Sequence, residues 1–413
     1  MSFAVLSATA LSAQQAIIVN GGKFGDPSDN VNIVSYDVQT NTYTTIDTIQ
    51  TSSVQTLLIE GNVGYVAAQD SIVSYDLKTN TRIAAVSFNG PSTKGMAIYN
   101  NQLLVGNYYG KSTDNLYIYD KSSLVLTDSI TQITKGVSNM IVNGDSLYIA
   151  QNYTSSTYTD SAGYIAVVDL STMSFVRDVV FNNNNEELGF LVKNSSGTGF
   201  YGINTNSIIE YNFTSGSVTI TPSLLRLSAG SAKSTVKGDT LFLEVNSNIG
   251  SMSLATGTII DTNIIAYSPT SFALDTINRK FYTTATDYFS YKEGKVFDFN
   301  NHEIDTLIVG FSPEIIQIHY GNITSIIPNK RELSRFSIYP NPAIDQVKVD
   351  VSEFQNNATV LVTVTDISGK LHFRKNYSTA SLFNLNIEQL TSGMYLISLQ
   401  SDKNVGVQKL IVE

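Results

Sequence analysis

One ten-residue phrase constrains this chain more than anything else in it. Ile33-Val34-Ser35-Tyr36-Asp37-Val38-Gln39-Thr40-Asn41-Thr42 returns as Ile72-Val73-Ser74-Tyr75-Asp76-Leu77-Lys78-Thr79-Asn80-Thr81. An apolar run, an aromatic-Asp step and a polar turn before another apolar run spell a β-hairpin. A hairpin phrase recurring at fixed spacing points to a repeat architecture. Weaker copies follow at Tyr119-Asp120, Val168-Asp169, Tyr211-Asn212, Met252-Ser253 and Phe297-Asp298, so turns fall at 37, 76, 120, 169, 212, 253 and 298. Their spacing is 39 to 49 residues, the length of a four-stranded propeller blade.

Between successive turns lie four apolar runs. In the second repeat they are 54–59 (inner), 64–68, 72–75 and 83–88 (outer). Further inner strands are expected at 95–100, 138–143, 189–193, 232–237 and 271–275, with tight turns such as Asn143-Gly144-Asp145 and Lys237-Gly238-Asp239. The first repeat begins at Ala16 with a second strand, and the last is followed by an extra inner-type run, 313–321. Placing that run in blade one closes a ring of seven and hides the open edges.

Composition agrees with sheet. Only 15 % of residues are charged, with 23 Tyr and 19 Phe, and aromatic and β-branched residues suit strands. A net charge of −10 without a basic stripe excludes nucleic acid as a partner. With no cysteine there is no disulfide, thiolate metal site or Cys nucleophile. Residues 1–13 read as a signal peptide, truncated at its start because no Lys or Arg precedes the apolar run, and cut after Ala13; a disordered tail is the alternative. No later apolar stretch reaches the ~20 residues of a membrane span.

The second strands end Tyr65-Val66-Ala67-Ala68, Leu104-Val105-Gly106-Asn107, Tyr148-Ile149-Ala150-Gln151 and Phe242-Leu243-Glu244-Val245-Asn246. With the Tyr-Asp-x-x-Thr turns they resemble the YVTN/surface-layer type of seven-bladed propeller repeat, over about 16–322. The grammar then changes. Tyr339-Pro340-Asn341-Pro342, Asp366-Ile367-Ser368-Gly369-Lys370, Leu390-Thr391-Ser392-Gly393-Met394-Tyr395 and Lys409-Leu410-Ile411-Val412 follow in order. This series resembles the type A C-terminal sorting domain of the Bacteroidota type IX secretion system, across roughly 331–413.

The expected fold is all-β: a seven-bladed β-propeller, its ring closed by a C-terminal inner strand in blade one, plus a small immunoglobulin-like β-sandwich. The expected domains are a signal peptide 1–13, the propeller 14–322, a linker 323–335 without strand pattern, and the sorting domain 336–413. The sorting resemblance implies export across the outer membrane by the type IX machinery, to the cell surface or into the medium.

Loops leading into the inner strands share one face with those joining strands two and three, where propellers usually bind. Three of the latter are long, 20–30, 107–115 and 152–163, with 286–292 intermediate, and long loops are often functional. They carry Asn107, Tyr108, Tyr109, Asn152, Tyr153, Tyr158, Tyr288 and Tyr291, flat rings with hydroxyls suited to a planar polar ligand or a sugar. Lys94, Lys135 and Arg226 near the inner-strand starts add cationic contacts.

Catalytic groups are sparse. His302, His319 and His372 are the only histidines and fall away from that face, leaving Glu186, Glu187 and Asp287 as carboxylates near it. Asp26, Asp29 and Asn30 lack calcium-loop order and read as a turn. Thr48, Ser71, Ser129, Ser146, Ser161, Thr240, Thr276 and Thr306 each follow Asp and precede an apolar or small residue. That pattern resembles the O-glycosylation acceptor of exported Bacteroidota proteins; hairpin chemistry is the alternative.

The expected function is non-enzymatic binding, without cofactor, of a small molecule, glycan or surface protein on the loop-rich face. Three alternatives stay open: cobalamin or other nutrient capture for a TonB-dependent outer-membrane transporter, an adhesin or matrix scaffold, and a carboxylate-based lyase or hydrolase.

Overall fold

The structure is a computed structural model. It describes residues 14–23, 25–26, 28–38, 40, 42–88, 93–108, 115–154, 161–180, 188–230, 232–321, 332–333, 336–351, 359–366, 371–378, 382–400 and 404–413. The chain divides into two units, Met1–Asn322 and Ile323–Glu413, and the described residues contain strands and no helix.

The first unit holds seven sheets in chain order. The second is the plainest, pairing Thr56–Glu60, Val63–Ala68, Ser71–Asp76 and Thr81–Ser87 as neighbouring antiparallel strands. The first sheet is completed from far along the chain: Pro313–His319 pairs antiparallel with Gln15–Asn20, placing Ile316 opposite Ile18 and His319 opposite Gln15.

Strand alternation explains how the sheets hold together. Along Gln15–Asn20, Ile17 and Val19 pack with Val66 and Val73 of the second sheet, while Ala16 and Ile18 pack with Tyr282 and Leu307 of the seventh. Both faces are therefore buried and the strand reads as one apolar run, as expected between two layers. Each remaining pair of successive sheets also encloses its own core, from Tyr65 with Leu103 through to Ile249 with Phe272. Among the described residues each such core lies between two sheets of the first unit.

The recurring Asp is explained by its own turn. Asp76 Oδ1 accepts the Lys78 and Thr79 amides at 2.8 and 3.3 Å. Asp120 does the same for Ser122 and Ser123, and Asp169 for Ser171 and Thr172. Asn212 and Ser253 serve the degenerate copies. Such side-chain-to-backbone bonds close an Asx-type turn. The Ser122 hydroxyl, with the Ser122 and Ser123 amides, holds the Asp120 carboxyl down at about 2; the Ser171 hydroxyl and amide lower Asp169, and the His302 amide lowers Asp298.

Three expectations need correction. The 152–163 stretch is not all loop, because the ladder continues through Asn152↔Gly163, Tyr153↔Ala162 and Thr154↔Ser161. The inner edge of the sixth sheet comes in two pieces, Leu227–Ser228 and Ser234–Lys237, both pairing with Thr240–Val245. Within the expected linker, Glu332–Leu333 pairs in parallel with Asn404 and Val405.

The second unit has a five-stranded and a three-stranded sheet sharing one core, with Val347, Val349, Val362, Ile397 and Leu410 fully buried.

Candidate functional site

The segments leading into the inner strands converge on one cleft of about 620 Å3 in the first unit. Every sheet contributes to it. Gln55 comes from the second sheet, Lys94 and Tyr108 from the third, and Ser138 and Asn152 from the fourth. Gly189 leads into the fifth, Gly230 and Lys233 lie in the interruption of the sixth, Thr270 and Tyr288 belong to the seventh, and Glu314 to the closing strand. A second hollow of about 350 Å3 adjoins it, sharing Ser53, Tyr288 and Glu314 and adding Gly22 and Phe289.

Four expected residues, Lys94, Tyr108, Asn152 and Tyr288, thus line the cleft together. The Lys94 ammonium lies 3.7 Å from the centre of the Tyr108 ring. Asn152 points inward for a structural reason: its amide donates to the Leu188 carbonyl at 3.1 Å and accepts the Leu188 amide at 2.7 Å. It ties the fourth sheet to the start of the fifth. Ser138 Oγ donates to the same carbonyl at 2.6 Å.

The others lie elsewhere. Asn107 is fully buried, its side-chain amide has no hydrogen-bond partner among the described residues, and its carbonyl accepts the Val137 amide at 2.8 Å. Lys135 pairs with Asp178 at 2.6 Å and sits over the Tyr164 ring, away from the cleft lining. Arg226 is exposed, its backbone amide bonded to Asn246 Oδ1 at 2.8 Å. Tyr109, Tyr158, Glu186 and Glu187 lie outside the described residues, as do the side chains of Tyr153, Tyr291 and Ser161.

Of the carboxylates, Asp287 belongs to its own loop. It accepts the Phe289 and Ser290 amides at 3.0 and 2.9 Å and pairs with Lys292 at 3.0 Å, which together drive its pKa far down. Asp26 and Asp29 likewise take turn amides, from Ser28 and Lys23. His319 is buried between Gln15 Nε2 and Asn62 Oδ1, each at 3.1 Å. His302 faces Asp298 and His372 faces Asp366.

Sequence reasoning missed Glu314, which stood inside an apolar strand. An acid at the start of Pro313-Glu314-Ile315-Ile316 was the available signal. Its partner is Ser312 Oγ, donating at 2.8 Å, and burial raises its pKa. Gly21 makes the room: a Cβ there would clash with Glu314 Oε1. Lys233, also missed, is bound to Glu244 at 2.7 Å.

Of the eight candidate acceptor hydroxyls, Thr48 and Thr306 are exposed on outer strands. Ser129 lies on another outer strand and is half-buried. Ser71, Ser146 and Thr240 open strands and are half-buried, as Ser161 opens its strand, and Thr276 Oγ1 lies 3.0 Å from Tyr320 OH.

In the second unit the signature residues hold the strands together. Asn341 donates to the Lys409 carbonyl at 2.7 Å and accepts the Ile411 amide at 2.8 Å, and Tyr395 OH donates to the Thr391 carbonyl at 2.8 Å. The Pro340 and Pro342 peptide bonds are cis. Tyr339, Pro340, Pro342, Gly393 and Lys409 are exposed, whereas Gly369 and Lys370 lie outside the described residues.

Residues 337–413 match the family model of the secretion system C-terminal sorting domain. No curated protein matches the chain in sequence. Among solved structures, a proposed 6-phosphogluconolactonase from Bacteroides fragilis is similar with a TM-score of 0.53 at 11% identity, over 75% of this chain and 99% of that one. One from Bacteroides uniformis gives 0.53 at 14% identity, over 74% and 99%. A functionally unknown protein from Desulfotomaculum acetoxidans gives 0.53 at 12%, over 75% and 100%. These likenesses bear on the fold alone. The sorting domain engages the type IX secretion machinery, and the chain is exported across the outer membrane to the cell surface or the medium. Among the described residues no helix is long and apolar enough to cross a membrane.

Proposed function

We propose that the exported part of this chain is a seven-bladed β-propeller of the YVTN type that binds a ligand at the axial cleft without transforming it, followed by an immunoglobulin-like sorting sandwich. Seven sheets joined by seven cores, with a closing strand from the far end, support the propeller reading. The observation that carries the binding reading is the cleft itself: all seven sheets meet there, and it combines Tyr108 and Tyr288 with a few polar groups. Concave sites with flat rings and few, well-placed polar atoms are where small ligands bind. The non-enzymatic reading draws on the engagement of Asp287 in its loop and of the three histidines away from the cleft.

The test is a thermal-shift and calorimetry screen of the full chain against corrinoids, haem and a glycan panel. A ligand that binds the folded state raises its midpoint by mass action. Replacing Tyr108 and Tyr288 by Ala is expected to abolish binding while far-UV circular dichroism stays unchanged. Binding that survives both replacements places the site elsewhere and refutes the reading.

A further inference from the structure

The two joined hollows contain three charged lining residues, Lys94, Lys233 and Glu314. Lys233 is matched by Glu244 at 2.7 Å, and the Lys94 ammonium sits on the Tyr108 ring. Glu314 differs. Among the described residues no Lys, Arg or His pairs with it, and its hydrogen-bond donor is the neutral Ser312 hydroxyl. A partly buried carboxylate without a cation is costly to keep, because desolvation opposes its charge.

What stands over it is aromatic. Tyr288 and Phe289 are 47% and 59% exposed, and both line the smaller hollow beside Glu314. This tip is built rather than loose. Tyr288 has φ +67°, a region that bulky side chains rarely occupy, and Asp287 fixes it through the Phe289 and Ser290 amides and Lys292. A chain of hydrogen bonds runs from the tip to the acid: Tyr288 N–H to Thr286 Oγ1 at 2.8 Å, Thr286 Oγ1 to Ser312 Oγ at 3.3 Å, and Ser312 Oγ to Glu314 Oε1 at 2.8 Å. The aromatic wall and the carboxylate are therefore positioned together.

Accepting that the cleft binds a ligand, we infer that this ligand is an organic cation, an ammonium or guanidinium group on a flat apolar body, with its charge on Glu314 and its body against Tyr288 and Phe289. Aromatic faces attract cations, and an unmatched carboxylate completes the pair. A metal ion fits poorly: calcium takes six to eight oxygens, and no group of three or more His, Asp or Glu gathers among the described residues. The net charge of −10 favours cations at encounter.

The test uses the full chain and three probes of one shape, phenethylamine, phenethyl alcohol and 3-phenylpropionate, alongside the glycan and corrinoid panel. Calorimetry is expected to show the amine binding at least about tenfold more tightly than the alcohol, as a charge-assisted bond predicts, with the propionate weakest. Glu314→Gln keeps the shape and the Ser312 bond, and is expected to erase that preference at a melting midpoint no lower than that of the parent chain, because the desolvation cost of the carboxylate is removed. Tyr288→Ala is expected to weaken all three probes. An alcohol or propionate that matches the amine, or a preference that survives Glu314→Gln, overturns the inference. Ligands from the panel that bind through Tyr288 without any cationic group also overturn it, yet leave the cleft reading standing. Silence from every probe and panel member overturns both.

Discussion

Completion of the first sheet rests on one strand pair, and its energy can be worked out and measured. Ile316 and Ile18 are fully buried direct partners across the first sheet. Ile316→Ala removes three carbons' worth of apolar contact, about 2.4 kcal/mol at ~0.8 per buried methylene. The residual cavity adds to this, because neighbours relax only partly, for a total of about 3.5 kcal/mol. Urea unfolding followed by tyrosine fluorescence suits the chain, which has 23 Tyr and no Trp. Ile277→Ala, at a residue 57% exposed, is the control and is expected to shift stability by no more than about 0.5 kcal/mol. Adding Ile18→Ala completes a double-mutant cycle, with a coupling of about 0.5 kcal/mol or more expected for residues in contact. A loss at Ile316 no larger than the control, or strictly additive effects with Ile18, would show that Pro313–His319 does not close the first sheet in this register.

Two further outcomes follow from polar groups. Desolvation holds His319 below its ordinary value of 6.5, so the unfolded chain binds the proton more readily. That contribution to stability is complete above pH 6.5 and lost as pH falls through 6.5 toward the folded value; His319→Gln should flatten the drop in melting midpoint between about pH 8 and about pH 5. In the second unit, Asn341→Ala strands the Ile411 amide and the Lys409 carbonyl. Both bonds are exposed, so water replaces part of what is lost, and we expect a loss of about 0.5–1.5 kcal/mol, seen as faster proteolysis of that unit, with Asn341→Asp intermediate because it keeps the acceptor.

What was legible in the sequence was local. An Asp at the head of each turn bonds amides two or three residues ahead, so Asp76 and Asp120 announce their hairpins without help from the rest of the chain. The doubly apolar strands were legible too, since a strand between two layers cannot alternate. The site was legible only where chemistry shows in the residue type, as at Lys94, Tyr108 and Tyr288. Asn152, expected at the site from its place in a long loop, does line the cleft, but its side-chain amide is bonded to the Leu188 backbone of another sheet. No local pattern encodes that. Glu314 escaped notice for the converse reason, since the Gly21 hollow that receives its carboxylate comes from the other end of the chain. The split inner edge at Leu227 and Ser234 was hidden because two residues make too short a run to register as a strand.

The order of segments also acts as a control on quality. The strand that completes the first sheet is synthesised after the other strands of the first unit, and the sorting domain at 337–413 comes later still. A polypeptide cut short anywhere before Pro313 lacks its closing strand and its export signal at once. Such a chain leaves one edge of Gln15–Asn20 unpaired and also lacks the domain that directs export, so every chain that carries the export domain also carries the strand that completes the first sheet.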